Sequence, residues 1–392
     1  VEQLIEMGGE IHFHAGETNY ASTQYLVKSE SELESESLNA FRKVTQNLEI
    51  SSSDISRVGG KCSSLGEMIQ AKINVPPGFA ITTDAFYDFI SNSKLKELII
   101  NELNTINIDN LDNLEKKASN IKSYFKKTIM PKEIEISIKN AYRKLGNNIP
   151  VAVRSSATAE DLPYASFAGQ QDTFLWVCGS KNLLQKVYDC WASLFNARAI
   201  AYRVKNKIKH SDVFMSVGVQ KMVNSKVSGV AMSINPLNGD KTRIFIESSW
   251  GLGESVVSGL VNPDNFVIEK VLQEILEKKI SKKTSEIVPD KESKTVIQRR
   301  IKKNMQSIPS LTDSEVIEVA LLAKKLEKHF KCAQDIEWTF DKHLPSGENL
   351  FALQSRPETV WSNKKTNNSK KYFPTGLESI VKTLKNPYKG EN

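Results

Sequence analysis

The chain has 392 residues, 40% of them apolar and 25% charged, which is ordinary globular composition and excludes wholesale disorder. Lys plus Arg is 53 against 46 for Asp plus Glu, a balance of +7 that suits an anionic ligand as well as it suits nucleic acid. No apolar run approaches the roughly 20 residues that span a bilayer, which excludes a helical membrane protein.

The first 30 residues lack a basic-then-apolar leader pattern, which argues against secretion. The chain opens on Val1 rather than Met, which leaves a start upstream of it open. The four cysteines, Cys62, Cys178, Cys190 and Cys332, form no CxxC pair, so neither a zinc site nor a disulfide framework is indicated and a reducing cytoplasm is expected.

Taken in chain order, residues 1–45 read as a polar lead-in, with the acidic low-complexity run SESELESES at Ser29–Ser37. His12 and His14 would share one face of a strand there; a surface strand or arm is the plainer reading than a metal site. VGGKCSSLGEMIQA from Val58 reads as a glycine turn opening a helix, and Val75–Thr83 as a turn followed by a short strand. Residues 84–148 are mostly helical in pattern. Val151–Ser156 and Thr173–Val177 read as strands, and Leu183–Lys205 carries apolar residues at helical spacing.

After Val213 strands dominate, at 217–223, 228–234, 243–249 and 265–270. Residues 269–303, with 11 Lys/Arg against 6 Asp/Glu, read as a solvated surface hairpin; aromatics do not interleave with the charges as a nucleic-acid face would require. Thr312 and Glu315 form a capping-box signature for a helix reaching Phe330. Two strands follow, 335–341 and 350–356, then a lysine-rich tail over 363–392.

The last strand pair carries the strongest chemical signal. Period two places Ile336, Trp338 and Phe340 on one face and Asp335, Glu337, Thr339 and Asp341 on the other. In the partner strand Leu350, Ala352, Gln354 and Arg356 share a face. Correct pairing would gather Asp335, Glu337, Gln354 and Arg356 on one surface. Hard oxygen ligands of that kind hold Mg²⁺ beside substrate phosphates, and arginine adds bidentate phosphate contact. An amphipathic hairpin with a wet outer face is the alternative that alternation alone leaves open.

Three further segments are candidates. Gly59-Gly60-Lys61 is not a P-loop, because position 55 is Ile, but a glycine turn at a helix start exposes N–H groups to an anion. Arg154 closes an apolar strand before the loop ATAEDLPYASFAGQQ, whose small residues suit a segment closing over a ligand. Gly251–Glu254 is a tight turn that fails GxGxxG at Val256.

The segments GGKCSSLGEM, VPPGFAITT, VAVRSSATAEDLPYASFAGQQDTF, SWGLGESVVSGLVNPDNF, QDIEWTF and LQSRPETVW closely resemble the nucleotide-binding part of the phosphoenolpyruvate synthase and pyruvate phosphate dikinase family. The wider family includes rifampicin phosphotransferase and the phenylphosphate synthases. The resemblance covers about residues 55–362 in order.

It implies an α/β (α+β) chain with a two-lobed ATP-grasp fold, divided into an extension (1–50), a first lobe with a helical insertion (51–212), a second lobe (213–362) and a basic tail (363–392). It implies ATP and Mg²⁺ as ligands. Lys61, Arg154 and Arg356 correspond to the phosphate-binding cations, Glu337 and Gln354 to the metal ligands, and Asp335 to a second carboxylate on the metal side. Gln220, Met222 and Val223 correspond to the strand beside the nucleobase, and Gly169, Gln170 and Gln171 to a flap over the phosphates.

The family transfers phosphate through a histidine in a motif containing CHA or SHA, and that motif is absent here, as is the barrel that binds the acceptor. A cytoplasmic ATP-binding component is therefore expected, working with a histidine-bearing partner in trans, and with neither nucleic acid nor membrane. The final acceptor stays open between pyruvate and phenol. A nucleotide sensor without turnover and a fragment of a longer product are the other readings.

Overall fold

The computed structural model describes residues 44–361 except 49, 92–93, 159–160, 163–164, 167–171 and 291. The strands are β1 (Thr45–Asn47), β2 (Gly78–Ile81), β3 (Val151–Ala157), β4 (Asp161–Leu162), β5 (Ala165–Ser166), β6 (Thr173–Val177), β7 (Met215–Lys221), β8 (Ser225–Met232), β9 (Arg243–Trp250), β10 (Asp264–Glu269), β11 (Ile275–Lys279), β12 (Ser285–Asp290), β13 (Thr295–Arg300), β14 (Gln334–Asp341) and β15 (Leu350–Pro357). The helices are α1 (Ile55–Gln70), α2 (Thr83–Ser91), α3 (Leu95–Asn104), α4 (Leu111–Lys127), α5 (Lys132–Leu145), α6 (Ser180–Ser193), α7 (Ala197–Lys205), α8 (Glu254–Val257) and α9 (Asp313–Phe330). Helix and strand are thus mixed through the chain, as the sequence pattern implies. The described residues up to Pro357 form one unit and Glu358–Trp361 belong to another, in which the Glu358 carboxylate accepts the backbone N–H groups of Val360 and Trp361.

Two sheets organise the first unit. One has the order β1-β2-β7-β3-β6, the other β11-β10-β9-β8-β14-β15. The first core is closed by helices whose apolar residues recur every three or four positions. Leu114, Ala118, Ile121 and Phe125 of α4 are buried together, and Leu183, Val187, Cys190 and Trp191 of α6 likewise. Phe89 of α2 stacks on Trp191 with centroids 5.0 Å apart.

The second core packs the faces of β8, β9, β10 and β14 against Val316, Val319, Ala320, Ala323 and Leu326 of α9. The Thr312–Glu315 capping box starts α9 with both reciprocal bonds present. Among the described residues, no helix is long and apolar enough to cross a membrane.

Several elements depart from their local reading. Strand β7 hydrogen-bonds to β2 and β3, so it belongs to the first sheet although it follows residue 212. Helix α1 precedes the first sheet's β2, yet its Val58, Cys62, Leu65 and Met68 join the second core. Thr45–Asn47 pairs with β2, so the fold begins ahead of residue 51.

The helical run 183–205 is broken into α6 and α7. Ser193 Oγ donates to the Cys190 carbonyl at 2.7 Å and Asn196 is extended, so the backbone turns there. The charged segment 269–303 splits in two: β11 pairs with β10, while β12 and β13 form a separate two-stranded hairpin.

Candidate functional site

A cleft of about 530 Å³ lies between the two sheets, bordered by β3, β6 and β7 on one side and by β14, β15 and the turn into α8 on the other. Lys61, Arg154, Gln220, Met222, Val223, Glu337, Gln354 and Arg356 all line it. These residues come from five separate stretches of chain.

Lys61 is placed by glycine. Gly59 has φ +71°, and a Cβ there would stand 2.1 Å from the Ser156 carbonyl oxygen, so the helix is interrupted at this residue and resumes at Gly60. The Cys62 N–H then donates to Ser156 Oγ at 3.2 Å, and Ser156 Oγ donates to the Val58 carbonyl at 2.8 Å. Lys61 Nζ donates to the Ser155 carbonyl at 3.3 Å. The start of the resumed helix is thereby fixed against β3, the strand that carries Arg154.

Arg154 reaches across the cleft. Its Nη1 donates to the Leu353 carbonyl at 3.2 Å and stands 3.7 Å from Glu337 Oε2, while its Nε is buried without a partner. A buried donor left unpaired is costly, which marks the Arg154 end of the cleft as built for more acceptors than the protein supplies.

The β14–β15 hairpin pairs Glu337 with Gln354 and Asp335 with Arg356. Arg356 donates to Asp335 Oδ2 from both Nε (2.9 Å) and Nη2 (2.7 Å). Asp335 is absent from the cleft lining. The expected common face of Leu350, Ala352, Gln354 and Arg356 is corrected here. The register shifts between Glu337 and Trp338, so Leu353 is an extra residue and Ala352 pairs with Trp338 in the core. This β-bulge keeps Gln354 and Arg356 on the cleft side while sending Ala352 and Leu350 inward, and it aims the Leu353 carbonyl at Arg154.

Gln220, next to last in β7, has 4% of its surface exposed and borders the same small side pocket as Lys61, Arg154 and Gln354, and its Nε2 has no hydrogen-bond partner. The Met222 N–H donates to the Pro150 carbonyl at 3.0 Å, and Val223 is buried beside it. Gly169, Gln170 and Gln171 lie outside the described residues.

Asp172 and Glu254 also line the cleft and were not singled out by sequence reasoning. Burial pushes the Asp172 carboxyl above the usual carboxylate range, an effect only partly offset by Lys122 and Lys186. Its signal was positional: it sits where the small-residue loop ends and β6 begins. Glu254 belongs to the Gly251–Glu254 turn, and Leu252 and Gly253 line the cleft with it.

None of the three described histidines lines this cleft. His210 Nδ1 accepts a 2.8 Å bond from Arg203 Nε, and burial together with that guanidinium lowers its pKa to about 4. His329 Nε2 lies 3.2 Å from Glu67 Oε2, and His343 sits in the β14–β15 turn. His12 and His14 lie outside the described residues.

A family model described as pyruvate phosphate dikinase, AMP/ATP-binding domain, matches residues 55–376. The chain belongs to that family. The probable phosphoenolpyruvate synthase of Staphylothermus marinus is 43% identical over 343 residues, covering 81% of this chain and 41% of that protein. The phosphoenolpyruvate synthase of Aeropyrum pernix is 43% identical over 346 residues, covering 81% and 42%. That of Pyrococcus furiosus is 39% identical over 369 residues, covering 83% and 45%. The chain therefore spans less than half the length of these relatives. Every cleft residue named above falls inside the stretch matched to the pyruvate phosphate dikinase AMP/ATP-binding domain.

Proposed function

We propose that this chain is the ATP-binding component of a phosphoenolpyruvate synthase-like dikinase, with its two sheets as the lobes of an ATP-grasp clamp. ATP lies in the cleft with its base towards Gln220, Met222 and Val223 and its phosphates towards Lys61, Arg154 and Arg356. The supporting observation is that one cleft brings together three cations, an oxygen-donor pair and an unpartnered buried amide.

The residues present fit Mg²⁺. Glu337 and Gln354 are opposed across the β14–β15 register and supply hard oxygens to the same cleft. No group of three or more His, Cys, Asp or Glu among the described residues forms a metal cage. Two protein oxygens with substrate phosphates and water completing the shell is the usual pattern for this ion. When bound, Mg²⁺ neutralises phosphate charge. Asp335 is engaged by Arg356 and contributes through that arginine.

Lys61 and the two arginines orient the phosphates and stabilise the negative charge of the transferring group. The Arg154–Glu337 and Arg356–Asp335 pairs hold both cations near their working positions before ligand arrives. Closure of the lobes excludes water. The terminal pyrophosphoryl part of ATP passes to a histidine of a partner in trans with AMP as the leaving group; water then takes the outer phosphoryl as inorganic phosphate, and the phosphoryl left on histidine goes to an acceptor such as pyruvate.

The test is to mix the chain and Mg²⁺ with labelled ATP and the histidine-bearing region of the Aeropyrum pernix relative. AMP and an acid-labile phosphoprotein are expected, and Arg356→Ala should abolish both. Tight ATP binding with neither product would replace this reading with a nucleotide sensor.

A further inference from the structure

The hairpin β12–β13 belongs to neither main sheet, yet it touches both walls of the cleft. At its second-sheet end, Ile287 bridges Gly251, and its carbonyl accepts the Leu252 N–H at 2.9 Å. Leu252 and Gly253 form the cleft wall there. At the far side, β13 lies against β6, the outermost strand of the first sheet, whose Phe174 and Leu175 line the opposite wall. The hairpin therefore runs from wall to wall and covers an open sheet edge.

Its root is firm and its body is not. Asp264 and Lys283 form a fully buried ion pair at the root, where Asp264 also accepts the Ser281 and Ser310 N–H groups. Along the two strands, Ile287 is the single buried residue among those described. A segment with one buried anchor opens at small free-energy cost while the sheets stay folded.

We propose that β12–β13 is a strap across the nucleotide cleft, and that ATP enters and leaves only when the strap lifts from β6 while its root stays fixed. This inference rests on the cleft being the ATP site. Strap release then sets the rate of nucleotide exchange, as lid opening does in other phosphotransferases.

A native thiol supplies the test. Cys178 follows β6; burial raises its thiol pKa, an effect partly offset by the nearby Lys294 ammonium. Lys294→Cys in a full-length Cys332→Ser background is treated with a short bismaleimide to link the hairpin tip to Cys178; Lys294→Cys with Cys178→Ser is the control. Stopped-flow binding of a fluorescent ATP analogue is expected to show association and dissociation both slowed about tenfold or more by the link, with Kd nearly unchanged. Rates equal to the control in the linked protein would overturn the strap alone. Failure of the link to form would remove the proximity and overturn it as well. Absence of ATP binding to the unmodified chain would overturn the ATP site, and the strap with it.

Discussion

Replacing Arg154 by Met separates two roles that its geometry combines. In the ligand-free protein the guanidinium donates one bond to the Leu353 carbonyl and faces Glu337 at 3.7 Å. The bond is donated to a neutral carbonyl at 3.2 Å and the ion pair is long, so their joint loss should cost about 1 kcal/mol of stability. With Mg-ATP bound, the same side chain would place charge-assisted bonds on phosphate oxygens, each worth about 1.5–3 kcal/mol. Losing one should weaken ATP affinity about 10- to 150-fold, since each 1.4 kcal/mol is tenfold. Calorimetric titration with Mg-ATP and urea unfolding of the same variant read the two terms separately. Loss of stability with affinity changed less than twofold would show that Arg154 only ties the sheets together, and would refute its place at the phosphates.

Gly59→Ala should destabilise the protein by about 3 kcal/mol or more, because the position combines positive φ with a carbonyl 2.1 Å from the added Cβ; chemical denaturation reads this directly. Asp335→Asn should shift stability by under about 1 kcal/mol, because Arg356 is 44% exposed in the pair, and should weaken ATP binding modestly at every Mg²⁺ concentration because Arg356 loses the partner that holds it in place; a raised Mg²⁺ requirement would instead make Asp335 a metal ligand. Stability should fall as pH drops from about 6.5 towards 4. The unfolded chain protonates His210 near 6.5 and the folded chain holds it unprotonated until about 4, so the stabilisation is complete above 6.5 and is lost below it. Unfolding midpoints measured against pH should show this slope, and His210→Gln should flatten it.

That Asp335 and Glu337 share one face of β14, and Gln354 and Arg356 one face of β15, was legible because a strand's side-chain period is two; which of them oppose each other is set by the register, which one strand does not carry. The bulge at Leu353 was not, because it is a property of the pair of strands and leaves no mark on one of them. Strand β7 and helix α1 were misplaced for a related reason. Their apolar faces state that something must cover them, and only long-range pairing decides that β7 joins β2 and β3 and that Met68 meets the second core. The break after Ser193 was hidden by Leu194 and Phe195, which continue the apolar rhythm through a turn. Asp172 and Glu254 escaped because a single carboxylate beside a glycine-rich stretch has no periodicity; their significance arises only when sequence-distant walls meet.

The surplus residue at Leu353 has a consequence for insertions and deletions. β15 is the outermost strand of its sheet, a position where loss of one residue is ordinarily tolerated. Here, removing Leu353 would regularise the ladder and leave either Gln354 facing the core or Ala352 facing the cleft. Among natural variants of this chain, a one-residue gap within 350–356 should therefore accompany loss of nucleotide handling even where every charged residue survives, whereas gaps in the neighbouring 342–349 turn should be silent.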